Sequence, residues 1–177
     1  MQYINYYSSS LGKILLAADD EGVTGLWFET QKYYAYRLDK EHKEQETPIL
    51  IRTKQWLSVY FSGREPDFMP PLHLVGTEFQ MTVWNILRKI PYGKTVTYGE
   101  IARRVAEERG LTHMSAQAVG GAVSHNPISV LIPCHRVVGS TGSLTGYAGG
   151  IEKKKELLSL ENVSLEHFFV PGEGTAL

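Results

Sequence analysis

The sequence predicts an α+β protein of two small lobes, a sheet-bearing lobe ahead of a mainly helical one. Three observations carry this. Short apolar segments rich in aromatic residues follow one another near the start, "REPDFMPPLHLVG" (residues 64–76) has three prolines and no periodicity, and beyond Thr77 apolar residues recur at helical spacing. A chain of 177 residues is long enough to bury a core of ordinary size, as one domain or as two lobes. The expected division is residues 1–75, an N-terminal α+β lobe with its linker, and residues 76–177, a helical lobe with a C-terminal tail.

Residues 3–8, 13–18 and 23–28 are the expected strands, and "SSSLG" and "DDEG" supply turns short enough for an antiparallel meander. The polar stretch "QKYYAYRLDKEHKEQET" reads as a short helix or a surface loop. Residues 48–61 place Ile49, Leu50, Trp56, Leu57, Tyr60 and Phe61 on one helical face, ended by Gly63. In the second lobe "TEFQ" has the pattern of a capping box, with Thr77 at the cap and Gln80 reaching back, and "PYGK" stops that helix. "TYGE" repeats the device with Thr97 and Glu100, ahead of a helix over residues 98–106. A further short helix is expected over residues 115–123, and a last one over 151–160. The pair 98–106 and 115–123 suggests a helix-turn-helix, although any helical hairpin gives the same pattern. The second member, "SAQAVGGAV", has no bulky or charged side chain and two interior glycines, each disfavoured in a helix by about 1 kcal/mol relative to alanine. Such a smooth helix is useful where a backbone must come very close to a partner.

Composition narrows the function classes. Hydrophobic residues make up 42% of the chain, yet no apolar run approaches the roughly 18 residues of a membrane span. The start, "MQYINYYSSS", lacks a basic region followed by an apolar stretch, so a cytoplasmic location is expected. A net charge of −1 does not by itself point to nucleic acid. The single cysteine, Cys134, excludes an internal disulfide and the paired thiols of a common structural zinc site.

That thiol stands in "SVLIPCHRVVGS", behind the apolar run Val130, Leu131 and Ile132. A lone cysteine there is by itself most simply a small core residue. His135 and Arg136 beside it raise the other possibility, since nearby positive charge increases the thiolate fraction. On an extended strand, however, adjacent side chains face opposite ways.

The stretch "NPISVLIPCHRVVGSTGSLTGYAGGIEKKKELLSLE" resembles the signature of the O6-alkylguanine-DNA alkyltransferases, the methylated-DNA–protein-cysteine methyltransferases. The resemblance extends through "PYGKTVTYGEIA" to about half the chain. It implies an RNase H-like N-terminal lobe with an antiparallel sheet, followed by a winged helix-turn-helix-like lobe that enters the minor groove of double-stranded DNA. It also implies a monomeric, one-turnover protein that flips O6-alkylguanine out of the duplex and takes its alkyl group onto Cys134, with O4-alkylthymine as a further substrate. His135 would take the thiol proton through a water, Glu161 would orient that imidazole, and Tyr98 would offset charge on the leaving base. Asn126 would brace the turn before the active-site strand, Val137 would offer its carbonyl to the guanine amine, and Tyr147 and Ala148 would close the pocket. Contacts to DNA are expected from Ser115, Ala116, Gln117, Gly120 and Ser140. Lys153 to Lys155 are expected on a solvated face. No metal, cofactor, membrane or obligate protein partner is implied. Gln117 departs from the resemblance, because many relatives place an arginine there to fill the gap left by the extruded base. Two other classes remain open on the residues: a lesion-binding module without transfer, and a cysteine hydrolase.

Overall fold

The computed structural model describes residues 1–171, so residues 172–177 of the expected C-terminal tail lie outside the described residues. Two compact units divide the chain, Met1–Val75 with Pro127–Leu131, and Gly76–Asn126 with the chain from Ile132 onward.

The first unit is built on β1 (Gln2–Ser9), β2 (Gly12–Ala18), β3 (Val23–Phe28) and β4 (His42–Glu44), in the sheet order β3-β2-β1-β4. The meander β1-β2-β3 is antiparallel as the short turns require. The expectation of a purely antiparallel sheet is corrected by β4, which pairs parallel to β1 from inside the polar segment read as helix or loop. Its three residues are all exposed, and an edge strand with no buried face has no alternation for a sequence pattern to reveal. One face of the sheet buries Ile4, Leu15, Ala17 and Trp27 under Tyr6, Ala35 and Leu38. Helix α1 (Pro48–Phe61) lies against β1, β2 and β3 and buries Leu50, Trp56, Leu57 and Tyr60; Thr47 caps it. β2 therefore reads as a continuous apolar run instead of an alternating one.

Two distant segments complete this unit. Part of the proline-rich linker runs beside β3, with Val23 N–H donating to Pro71 O and His73 N–H to Val23 O. The His73 ring fastens it to Asp19 at 2.6 Å and Glu21 at 3.0 Å. Residues 127–131 do the same along β3, where Leu26 N–H donates to Pro127 O and Ser129 N–H to Leu26 O.

The second unit holds α2 (Glu78–Leu87), α3 (Tyr98–Arg109), α4 (Ala116–Ser124) and α5 (Ile151–Leu160), with β5 (Val96–Thr97) paired parallel to β6 (Val137–Val138). Both expected capping boxes are present, Thr77 with Gln80 and Thr97 with Glu100. Gly110, at φ +65°, ends α3 in the left-handed conformation that glycine adopts without steric penalty. Ser115 then caps α4 through Ala118 N–H. The indole of Trp84 on α2 donates to Ala122 O at 2.9 Å, which fixes α4 by its buried face and leaves Gln117, Ala118 and Gly121 exposed. Val138, Leu144 and Leu158 form a further core cluster under the segment 163–168.

Candidate active site

Cys134 is not on a strand. Leu131 N–H bonds back to Ser129 O around Val130, whose φ of +71° is a strained value for a β-branched residue. Cys134 N–H then bonds to Ile132 O around Pro133, an inverse γ-turn, and Cys134–Arg136 form one turn of 3₁₀ helix. The consequence corrects the strand expectation. Cys134, His135 and Arg136 are all buried instead of alternating between core and solvent.

Asn126, 3% exposed, donates from Nδ2 to Ile132 O at 2.9 Å and to Cys134 Sγ at 3.2 Å, so one amide braces the turn and touches the sulfur. Glu161, at the C-cap of α5, accepts from His135 Nε2 at 2.6 Å on one oxygen. Its other oxygen accepts from Arg136 Nε at 2.8 Å and from Gly93 N–H at 3.0 Å. Arg136 also donates to Ile90 O at 2.7 Å. Burial pushes the Glu161 carboxyl up, but the bonds and charges of His135 and Arg136 outweigh it and hold the group well below the usual carboxylate range. An ionised Glu161 makes His135 Nε2 the donor and fixes the imidazole tautomer. Burial also pulls His135 down; Glu161 resists this, while Arg136 and Lys154 reinforce it.

The thiol itself is pushed up by burial, with Asn126 and Lys154 acting in the opposite direction.

Tyr98 begins α3 and is 3% exposed; its hydroxyl donates to Thr145 O at 3.2 Å. Burial first, and then Cys134, push its phenol up. Beside it lies a cavity of about 270 Å³ lined by Tyr98, Gln117, Gly120, Gly121, Ser124 and Gly146. Gly146 has φ +90°, and a Cβ there would fall 2.3 Å from the Tyr98 hydroxyl oxygen. Gly146→Ala is expected to displace that hydroxyl, read as a changed near-ultraviolet tyrosine signal with the far-ultraviolet helix signal retained. The rings of Tyr147 and His135 meet edge-on at 6.4 Å, and Ala148 is half-buried on the same loop. Ser115 and Ser140 are exposed and Ala116 is half-buried; none of the three shares a bond with the Cys134 cluster.

The expectation that residues 153–155 form a solvated face fails at Lys154. This side chain is fully buried and donates to Val137 O and, at 3.0 Å, to Thr145 O. Burial pulls its ammonium down to about 8. A signal for it existed. Lys154, Leu157 and Leu158 share one helical face, and a lysine on an apolar stripe is a residue to question. Arg136 and Gly93 had no such signal, because their meeting with Glu161 joins three separate parts of the chain.

Among the described residues no helix is long and apolar enough to cross a membrane, and no cluster of three or more metal-ligating side chains occurs.

The family described as "6-O-methylguanine DNA methyltransferase, DNA binding domain" matches residues 78–163, and its ribonuclease-like domain matches residues 2–74. The methylated-DNA–protein-cysteine methyltransferase of Haemophilus influenzae is 41% identical over 162 residues, covering 91% of this chain and 87% of that protein. The constitutive methylated-DNA–protein-cysteine methyltransferase of Bacillus subtilis is 36% identical, covering 91% and 98%. Among solved structures, Mycobacterium tuberculosis OGT in complex with DNA superposes with a TM-score of 0.78 at 38% identity, over 90% of this chain and 92% of that one.

Proposed function

Because this chain belongs to the 6-O-methylguanine DNA methyltransferase family, we propose that it repairs DNA by moving an alkyl group from O6 of guanine onto Cys134, once per molecule. The observation that carries the assignment to this residue is the setting of the single thiol, bonded by Asn126 and followed by a histidine locked to a buried carboxylate. With Nε2–H given to Glu161, the remaining ring nitrogen of His135 takes the thiol proton through a water. The thiolate attacks the alkyl carbon, the C–S bond forms as the C–O6 bond breaks, and the electron pair passes to guanine. Tyr98 offsets that charge, and the base regains a proton. The product is a thioether, which has no easy leaving path, and this limits each molecule to one turnover. O4-alkylthymine presents the same alkoxy carbon beside a ring nitrogen and is a second substrate of the same site.

The alkyl carbon lies inside the duplex, so the base must be flipped into the pocket. Val137 O receives the guanine amine, while Tyr147 and Ala148 cover the base. Ser115 at the cap of α4, Ala116, Gln117 and Gly120 on that helix, and Ser140 face the DNA. Residues 76–177 act as the DNA-binding and transfer lobe, and residues 1–75 form a separate N-terminal lobe. The chemistry needs a reduced thiol, which favours the cytoplasm. The experiment is to expose the protein to duplex DNA carrying O6-methylguanine and locate the methyl group by mass spectrometry of the intact protein and its peptides.

Gln117 is exposed and lines the Tyr98 cavity, a position suited to filling the gap left by the flipped base. Gln117→Ala is expected to slow repair of duplex DNA by about tenfold, a loss of roughly 1.4 kcal/mol out of the few kcal/mol that flipping requires, while leaving transfer from free O6-benzylguanine unchanged. Gln117→Arg is expected to tighten duplex binding and steepen its salt dependence by about one counterion. Equal ratios of duplex to free-base rate for wild type and Gln117→Ala would move the plug to a neighbour such as Ala116.

A further inference from the structure

Lys154 is a buried cation with no part in the transfer described so far. On α5 the other charged residues around it are exposed (Glu152, Glu156) or half-buried (Lys153, Lys155), whereas Lys154 is 0% exposed, and burying an ammonium carries a desolvation penalty that an apolar residue avoids. The ammonium donates to Val137 O and Thr145 O and lies 5.9 Å from the centre of the Tyr98 ring. Thr145 O also accepts the Tyr98 hydroxyl. Among the described residues no carboxylate pairs with Lys154, because Glu161 is taken by His135 and Arg136. The acidic group that acts on it is Cys134, and the effect is mutual: the charge of Cys134 opposes the larger pull of burial on the ammonium, and the ammonium opposes the larger push of burial on the thiol.

We propose that Lys154 is the counter-ion of the attacking thiolate, a positioning residue whose ammonium supports negative charge first on Cys134 and then on the departing base held at Tyr98 and Val137. The inference rests on Cys134 being the alkyl acceptor. Its physical basis is the charge already in the site. The titratable and charged groups that face the thiol or its histidine are Arg136, Lys154, Glu161, Tyr98 and Tyr147, and the single carboxylate is already paired with the guanidinium. Protonating His135 for any length of time would add a third cation beside Arg136 and Lys154. A thiolate balanced by Lys154 adds none, so His135 serves as the path for the proton and ends neutral. During displacement the negative charge moves from sulfur to guanine while Lys154 keeps its proton. Of the two residues proposed to receive the base, the ammonium donates to Val137 O and lies 5.9 Å from the centre of the Tyr98 ring.

The test follows thiol ionisation without DNA. Alkylation of Cys134 by iodoacetamide is measured against pH in wild type, Lys154→Met and Lys154→Arg, alongside transfer from free O6-benzylguanine. Lys154→Met is expected to move the thiol midpoint up by about one pH unit and to slow both reactions about tenfold at neutral pH, and Lys154→Arg to restore most of the loss. A second measurement uses wild type alone and stands even where Lys154→Met does not fold. Coupling between two titrating groups is reciprocal, so the nuclear magnetic resonance titration of the Lys154 ammonium should fall to lower pH once Cys134 is methylated. Superimposable thiol profiles in folded wild type and Lys154→Met, or an unmoved lysine midpoint on methylation, overturn the proposal. Coupled titrations in a protein that takes no methyl from DNA would support the ion pair and remove the alkyl-acceptor reading instead.

Discussion

Cys134→Ala, incubated with duplex DNA carrying O6-methylguanine, is expected to keep its mass, while the wild type gains one methyl group of about 14 Da, located on Cys134. The loss should be complete. The chain has no second cysteine, and serine at this position fails as well, because a buried hydroxyl is ionised far less readily than a thiol. DNA binding should survive in both variants. Cys134 is 4% exposed and lies inside the fold, and the exposed side chains of α4 are untouched by its replacement. Titration of wild type with excess alkylated duplex should end at one methyl per molecule. Several turnovers per molecule, or a methyl found on another residue, would refute the stoichiometric mechanism.

Glu161→Gln should have the second largest effect, and on two readouts. The carboxylate holds His135 and Arg136 through opposite oxygens, with the carboxyl side chain 0% exposed and the Arg136 side chain 10% exposed. Removing its charge leaves a buried guanidinium without its counter-charge, and breaking such a pair destabilises by about 3–5 kcal/mol. The glutamine amide can also present a donor to Nε2 and reverse the imidazole tautomer, a change that slows a serine-protease triad by about 10⁴-fold. A fall in transfer rate on the order of 10²-fold or more is expected in the fraction that remains folded. The pH dependence has a defined sign. The folded carboxyl titrates below its unfolded value, so its stabilisation is present above the unfolded pKa and is lost as pH falls through the folded one. The variant should therefore show a flatter acid limb in its melting temperature. A lowered melting temperature with an unchanged transfer rate would make Glu161 a purely structural residue.

Much of this was legible in the order of residues. Both capping boxes depend on a side chain and a backbone group three residues apart, so Thr77 with Gln80 and Thr97 with Glu100 are visible in the string itself. β1, β2 and β3 are apolar and joined by short turns, which confines them to a meander. β4 was not legible, since a three-residue exposed edge strand is defined by the partner it pairs with. The assignment of residues 127–131 to the first unit escaped detection for a related reason: their partner, β3, lies about a hundred positions earlier.

At the site, the sequence by itself determined which chemistry was available: one thiol, a histidine directly after it, and a glutamate at the end of the last helix. It also determined the family, because that signature is local and specific. The tertiary structure decided the electrostatics. The turns at Val130 and Pro133 bury Cys134, His135 and Arg136 together, where a strand would have separated them. Glu161 is shared between a histidine and an arginine, and Lys154 is drawn from an expected solvent face to the carbonyls beside Tyr98. The physical reason is that a helix face or a capping box depends on residues a few positions apart. The charge on a buried group depends on desolvation and on neighbours from Tyr92 to Glu161, and those are settled only when the chain closes around them.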